Sequence, residues 1–235
     1  MTFRFREFSV EDDRSTMRIG TDAILLGAWI DASGAEKILD IGTGCGVIAL
    51  MIAQKSNAQV DAIDINQESV DQARLNFDNS PWKDRLTAWH RSFREHAASA
   101  VTKYDIILTN PPYFRNSLRS ADTKRNLARH HESFSFDGLF EAVNTLLKEK
   151  GSFYLILPET NTKSVRELGI DYQFSLNKIL KIRPKETKNN NRVLMKFCRI
   201  KPEQETVDEL VLRHSDNSFT REYKELTANF YLSLP

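Results

Sequence analysis

Cysteine is nearly absent: Cys45 and Cys198 are the only two in 235 residues. That excludes a disulfide framework and fits a reducing compartment. No Cys/His spacing suggests a metal site, and no Ser/His/Asp set stands out, so no metal is expected. No apolar run approaches membrane-spanning length. Met1 to Val10 alternates Phe with Arg and Glu instead of carrying an apolar signal core. Internal repeats and low-complexity tracts are missing as well. Together these absences lead to the expectation of a cytoplasmic protein that touches no membrane. At 40% hydrophobic content the chain can bury one large core, and a single catalytic domain over 1–235 is expected.

Glycine is also sparse, at nine residues, yet three of the nine fall within five positions. Lys37 to Ile41 reads as a buried parallel strand. It runs into Asp40-Ile41-Gly42-Thr43-Gly44-Cys45-Gly46 and then a helical stretch, Val47 to Gln54. Strand, glycine loop and helix form half a βαβ unit. The glycines recur at every second residue, unlike the dinucleotide fingerprint Gly-x-Gly-x-x-Gly, which disfavours nicotinamide binding. The next strand, Gln59 to Ile63, ends in Asp64, twenty residues past Gly44. A carboxylate there can take both hydroxyls of an adenosine ribose, although Asp64 could instead cap the helix that begins near Gln67. The combination reads as a nucleoside-cofactor pocket.

A third feature, Asn110-Pro111-Pro112-Tyr113, follows the strand-like run Tyr104 to Thr109. The Asn110 side-chain oxygen and the Pro111 carbonyl can both accept hydrogen bonds from one NH2 group, since proline lacks only the donor. Such an arrangement suits methylation of a planar nitrogen, whose lone pair must be drawn out of conjugation before it can attack. Tyr113 offers a flat face on which a base can stack, worth roughly 1–3 kcal/mol. The bland alternative is a Pro-Pro turn after a strand.

Net charge is only +1, but it is unevenly spread. Between Lys178 and Arg199 eight cations face Glu186 alone, a net of +7; Lys181, Arg183, Lys185, Lys188 and Arg192 are the expected RNA contacts there. Arg115, Arg119, Lys124, Arg125 and Arg129 stand against Asp122, a net of +4, in the segment leaving Tyr113. The rest of the chain then carries −10. A polyanion docking face beside an acidic body is the expectation. The alternative is that these are solvated faces of a hairpin and a loop.

The glycine loop, Asp64 and the Asn-Pro-Pro-Tyr turn resemble those of S-adenosylmethionine-dependent methyltransferases that act on amino groups of bases or of glutamine. Four further stretches sharpen the resemblance: Met17-Arg18-Ile19-Gly20-Thr21-Asp22 with Leu25-Leu26-Gly27-Ala28-Trp29; Ser80-Pro81-Trp82; Asn191-Arg192-Val193-Leu194; and Phe230-Tyr231-Leu232. They are similar to the bacterial family that methylates the N6 amine of the adenine beside the anticodon of a valine tRNA. The resemblance implies an α/β, Rossmann-like class I fold, a mostly parallel seven-stranded sheet closed by an antiparallel C-terminal hairpin. It implies S-adenosyl-L-methionine as cofactor, tRNA as partner, and catalysis by Asn110, Pro111, Pro112 and Tyr113. The implied cofactor contacts are Thr21, Asp22, Asp40, Gly42, Thr43, Gly44, Gly46, Asp64, Ile65, Asn110 and, where the family usually carries an acid, Ser92 and Phe93. A glutamine methyltransferase of release factors and an adenine methyltransferase of rRNA or DNA remain open. So does a nucleic-acid-binding protein that has lost catalysis.

Coarse element boundaries follow. An N-terminal strand pair and helix occupy 1–31; the cofactor-binding core occupies 36–166 and ends with a helix over Phe136 to Lys148, Gly151 lying past its end, and a strand near Phe153; the basic hairpin occupies 172–200, its first strand running from Tyr172; and a last strand and helix occupy 206–235.

Overall fold

A computed structural model describes residues 2–15, 18–112 and 134–232. Two short strands, β1 (Thr2–Arg4) and β2 (Ser9–Glu11), pair antiparallel at the N-terminus. Helix α1 (Thr21–Trp29) leads into the alternating core: β3 (Lys37–Ile41), α2 (Val47–Lys55), β4 (Gln59–Asp64), α3 (Gln67–Asp78), β5 (Leu86–His90), α4 (Phe93–Ser99) and β6 (Tyr104–Thr109). Beyond it come α5 (Phe136–Leu146), β7 (Leu147–Pro158), α6 (Thr162–Asp171), β8 (Ser175–Arg183), β9 (Arg192–Cys198), β10 (Thr206–Val211) and α7 (Arg221–Thr227).

The main sheet has the order β10-β8-β9-β7-β6-β3-β4-β5. Strands β5, β4, β3, β6 and β7 are mutually parallel, and β9 runs antiparallel between β7 and β8. That is the mostly parallel sheet with an antiparallel C-terminal hairpin expected from sequence. An eighth strand, β10, pairs parallel with β8 and occupies the edge.

Both faces of the sheet are covered, which is why its central strands are mostly apolar instead of alternating with polar residues. In β3 every residue after Lys37 is buried. One core lies under α1, α2 and α3 and takes in Phe5, Phe8, Leu50, Met51 and Phe77. The other lies under α5 and α6, around Phe140, Phe153, Phe174 and Phe197. Helix starts are satisfied locally: the Asn66 side chain accepts from the Ser69 amide at α3, and Ser135 accepts from Gly138 at α5.

Two differences from the sequence reading have simple causes. The helix expected to run to Lys148 stops at Leu146, and Leu147 opens β7 directly, so Gly151 lies inside a strand rather than past a helix end. The strand expected from Tyr172 begins at Ser175. Gln173 adopts φ 61° in the turn that ends α6, where Phe174 N–H donates to Gly169 O at 2.7 Å.

Phe140 is fully buried, with its ring 5.5 Å from those of both Phe153 and Phe197. Phe140→Ala is expected to cost about 3–5 kcal/mol of stability by leaving a cavity, read as a lower urea midpoint at unchanged slope.

Candidate active site

Because β3, β4, β5, β6 and β7 are parallel, their carboxyl ends fall along one edge, where open α/β sheets bind ligands. β3 delivers Asp40 and the glycine loop to this edge, β4 delivers Asp64, β5 delivers His90, and β6 delivers Asn110. Arg192 opens the antiparallel β9 opposite Pro158 and so reaches the same edge from the other direction.

The loop is tied to the neighbouring strand through its backbone. Gly42 and Thr43 N–H both donate to Ile63 O, at 2.8 and 3.1 Å. Gly44 N–H donates to Asp64 Oδ2 at 2.9 Å, and Asn66 N–H donates to Oδ1 at 2.9 Å. Each oxygen keeps acceptor capacity, and Asp64 is only half-buried, so a diol can reach it. Gly46 has φ +83°, and a Cβ there would stand 2.5 Å from Phe77 Cε1. Positive φ and the packed α3 ring both demand glycine at that position. Ile65, 63% exposed, presents a bare apolar side chain beside the acid. A tight glycine turn, an open carboxylate and an exposed aliphatic surface fit an adenosine-bearing group.

Asp40 is completely buried and accepts from Thr43 Oγ1 at 2.7 Å. Burial pushes its carboxyl up to about 7; the Thr43 bond opposes the rise and the charge of Asp64 adds to it.

The stretch ahead of α1 passes over the loop. Ile19 N–H donates to Asp12 Oδ2 at 3.1 Å, and a Cβ on Gly44 would meet Ser15 Oγ at 3.2 Å. Asn76 of α3 holds this stretch and the loop together, donating to Glu11 O and Cys45 O at 2.8 Å each. Thr21 is the first residue of α1 and is exposed; the cap position belongs to Gly20, so Thr21 does not cap the helix. Asp22 Oδ2 accepts from Arg192 Nε at 3.0 Å.

This pair joins two of the stretches singled out in the sequence, 170 positions apart. The other two meet at the N-terminal strand pair. There Trp82 packs edge-on to Phe8 at 5.7 Å, and Phe5 stacks between Phe8 at 4.4 Å and Tyr231 at 6.4 Å.

Ser92 proves to be the cap of α4. Its hydroxyl accepts from Glu95 N–H at 3.2 Å and donates to Glu95 Oε2 at 2.9 Å, while its own N–H donates to the same oxygen. The Ser-x-x-Glu pattern was the available sequence signal. Phe93 is partly buried, its ring edge-on to Phe134 at 6.2 Å. Asn110 and Pro112 are half-buried and Pro111 buried, directly past Thr109, whose hydroxyl donates to Ile41 O at 2.8 Å. Tyr113 and the cations Arg115, Arg119, Lys124, Arg125 and Arg129 lie outside the described residues.

The basic hairpin is less charged than its sequence suggests. Lys178 pairs with Asp208 at 3.0 Å and Arg183 with Glu209 at 2.5 Å, so β10 places acids beside the cations of β8. Lys196 lies over the Tyr154 ring, and Arg199 binds Asn144. Lys185 Nζ donates to the neutral side chain of Asn217 at 2.9 Å, in a turn braced by Glu186 N–H donating to Arg213 O. Among the described residues, Lys181, Lys185, Lys188, Lys196 and Arg199 of this hairpin form no ion pair with an acid, and of these Lys181, Lys185 and Lys188 stand nearest the β8–β9 turn. The β8–β9 turn that carries Lys185 and Lys188 sits at the same sheet edge as the glycine loop.

Fold and site together define a class I methyltransferase. The chain belongs to the methyltransferase small domain family, which matches residues 15–165. It is 38% identical over 99% of its length to the tRNA1(Val) (adenine(37)-N6)-methyltransferase of Flavobacterium psychrophilum, and covers all of that protein. To the same-named enzyme of Bacteroides thetaiotaomicron it is 37% identical, over 99% of this chain and 98% of the relative. Among solved structures, that of a predicted O-methyltransferase from Agrobacterium tumefaciens superposes with TM-score 0.68 at 18% identity, covering 89% of this chain and 96% of the other. The ribosomal protein L11 methylase of Lactobacillus delbrueckii gives 0.54 at 18% identity, over 77% and 78%.

Unfolded, Asp40 returns to the ordinary 3.8. Its raised folded value therefore contributes stability that is complete below 3.8 and is lost as pH rises through about 7. Asp40→Asn removes that dependence. The melting temperature of the unaltered protein, relative to the variant, is expected to fall by a few degrees between about pH 5 and about pH 8.

Proposed function

We propose that the protein transfers a methyl group from S-adenosylmethionine to the N6 amine of an adenine in tRNA, the target being adenine 37 of a valine tRNA, the nucleotide named in its relatives. The observation that carries this reading is the Asn110-Pro111-Pro112 segment directly past the end of β6, one strand from the glycine loop of β3. Asp64 takes the ribose hydroxyls, and Ile65 and Phe93 flank the adenine of the cofactor. Ser92 reaches that adenine only through the acceptor capacity its cap leaves. Thr21, Asp22, Asp40, Gly42, Thr43, Gly44 and Gly46 surround the amino-acid end.

When bound, S-adenosylmethionine supplies an electrophilic methyl on a sulfonium that departs as a neutral thioether. The chain's own residues do the rest by placement. Asn110 Oδ1 and the Pro111 carbonyl would each accept a hydrogen bond from one N–H of the substrate amine and so draw its lone pair out of conjugation, free to attack. Tyr113 supplies the stacking face. No general base is needed before attack; once methylated, the amine carries the positive charge the sulfonium gives up and becomes neutral by releasing one proton to solvent, while orientation alone can lower such a barrier by up to roughly 7–11 kcal/mol. The adenine must be unstacked to reach the turn, as an anticodon-loop base can be. Lys181, Lys185 and Lys188, with Arg115, Arg119, Lys124, Arg125 and Arg129, hold the RNA backbone. Arg183 and Arg192 are held by Glu209 and Asp22, so they act by bracing the edge. A tRNA substrate supports a cytoplasmic location.

The same turn would serve a glutamine methyltransferase; unpaired lysines at the site edge and the relatives' names favour RNA. Asn110→Ala is expected to lower turnover on a tRNA transcript by about 10²–10³ while S-adenosylmethionine affinity holds. Near-normal turnover would remove Asn110 from the chemistry. Changing Lys185 and Lys188 together to Ala should flatten the slope of log affinity against log salt by roughly 1.4, about 0.7 per phosphate contact.

A further inference from the structure

At the far end of the sheet's carboxyl edge, the proposed function gives Ser92 and Phe93 a role but none to Trp89 or Arg91. β5 is the last strand of the sheet, and Trp89 on it is 41% exposed. The other two tryptophans are partly buried, Trp29 edge-on to Tyr154 and Trp82 edge-on to Phe8. The Arg91 guanidinium lies over the Trp89 ring, 5.1 Å from its centroid. Arg94 lies over Phe93 at 5.8 Å. The run Trp89-His90-Arg91-Ser92-Phe93-Arg94 thus holds two aromatic–arginine pairs, Trp89 with Arg91 and Phe93 with Arg94.

This run is built into the site. Arg91 N–H donates to Asp64 O at 3.0 Å, and His90 Nε2 is 3.0 Å from Ile65 O. Asp64 and His90 are register partners. Three strand intervals separate β5 from β6, where Asn110 stands, roughly 14 Å at the usual inter-strand spacing. Three intervals also separate β6 from β8, on the side of Lys181 and Lys185. The methyl-transfer turn is therefore flanked by a basic turn on one side and an aromatic–arginine pair on the other.

We propose that Trp89 and Arg91 form a stacking platform for an unpaired nucleotide of the RNA substrate that flanks the target adenine. This rests on the tRNA reading above. The chemistry is that of single-strand recognition: a base lies on an indole face, and a guanidinium contributes charge to the phosphate backbone and planarity to the stack. A free Trp on an edge strand would otherwise be an aggregation liability. The arginine over it keeps that face charged, which suits a polyanion better than an apolar protein partner. Arg91 acts on RNA alone in this scheme, because its link to Asp64 runs through the backbone.

The test titrates an unmodified valine tRNA transcript into the unaltered protein, Trp89→Ala, Trp89→Phe and Arg91→Ala. Tryptophan emission, RNA affinity, methyl transfer and S-adenosylmethionine affinity are followed. Expected are quenching of emission on RNA binding, lost in Trp89→Ala, and RNA affinity weakened about tenfold in Trp89→Ala, with Trp89→Phe recovering most of it. Cofactor affinity and turnover at saturating RNA stay unchanged. Unchanged RNA affinity in Trp89→Ala, while the unaltered protein methylates tRNA, overturns the platform alone. Conversion of a dimer to a monomer by Trp89→Ala also overturns it, since the face would then join two copies. Failure of the unaltered protein to methylate tRNA sinks the function and the platform with it.

Discussion

The site depends on the backbone clamp between the β3 loop and the end of β4. Two loop amides share the Ile63 carbonyl and a third donates to the Asp64 side chain, so the acid is set by the loop it faces. Neither strand could shift register without breaking all three bonds and turning buried side chains outward. The left-handed glycines make the clamp sterically possible, and Phe77 and Asn76 of α3 lock it from behind. The proposed roles of Gly42, Thr43, Gly44 and Asp64 take their positions from this joint.

Around the clamp, charge is placed with economy. The strand that extends the sheet beyond its expected size, β10, brings Asp208 and Glu209 against Lys178 and Arg183. These exposed pairs add little stability. Their larger effect is on the surface field: they offset Lys178 and Arg183 on β8, while Lys185 and Lys188 at the turn on the active edge form no ion pair among the described residues. Arg192 is likewise committed to Asp22 at the start of α1, which makes it a strut between the C-terminal hairpin and the segment bordering the glycine loop.

Features written in consecutive residues were legible in the sequence. β3, the glycine loop, Asp64 and the Asn-Pro-Pro turn are each local, and buried parallel strands carry an apolar signal that needs no partner to be read. Features made by distant residues were not legible. The Asp22–Arg192 pair spans 170 positions, and the β10 acids pair with cations 26 and 30 positions away. Helix α4 is seven residues long, too short for a periodic signature, and only its capping box announced it. The aromatic cluster joining Phe5, Phe8, Trp82 and Tyr231 explains two of the shared stretches as packing, a role that no single stretch could reveal.

The central claim is that a side-chain oxygen and a prolyl carbonyl aim one exocyclic amine at the methyl donor. Mass spectrometry of nucleosides after incubating the purified protein with isotopically labelled S-adenosylmethionine and unmodified valine tRNA tests it most directly. The account predicts the label on the exocyclic N6 of a single adenine beside the anticodon. Label on a ring nitrogen, on a ribose hydroxyl or on protein glutamine would contradict it.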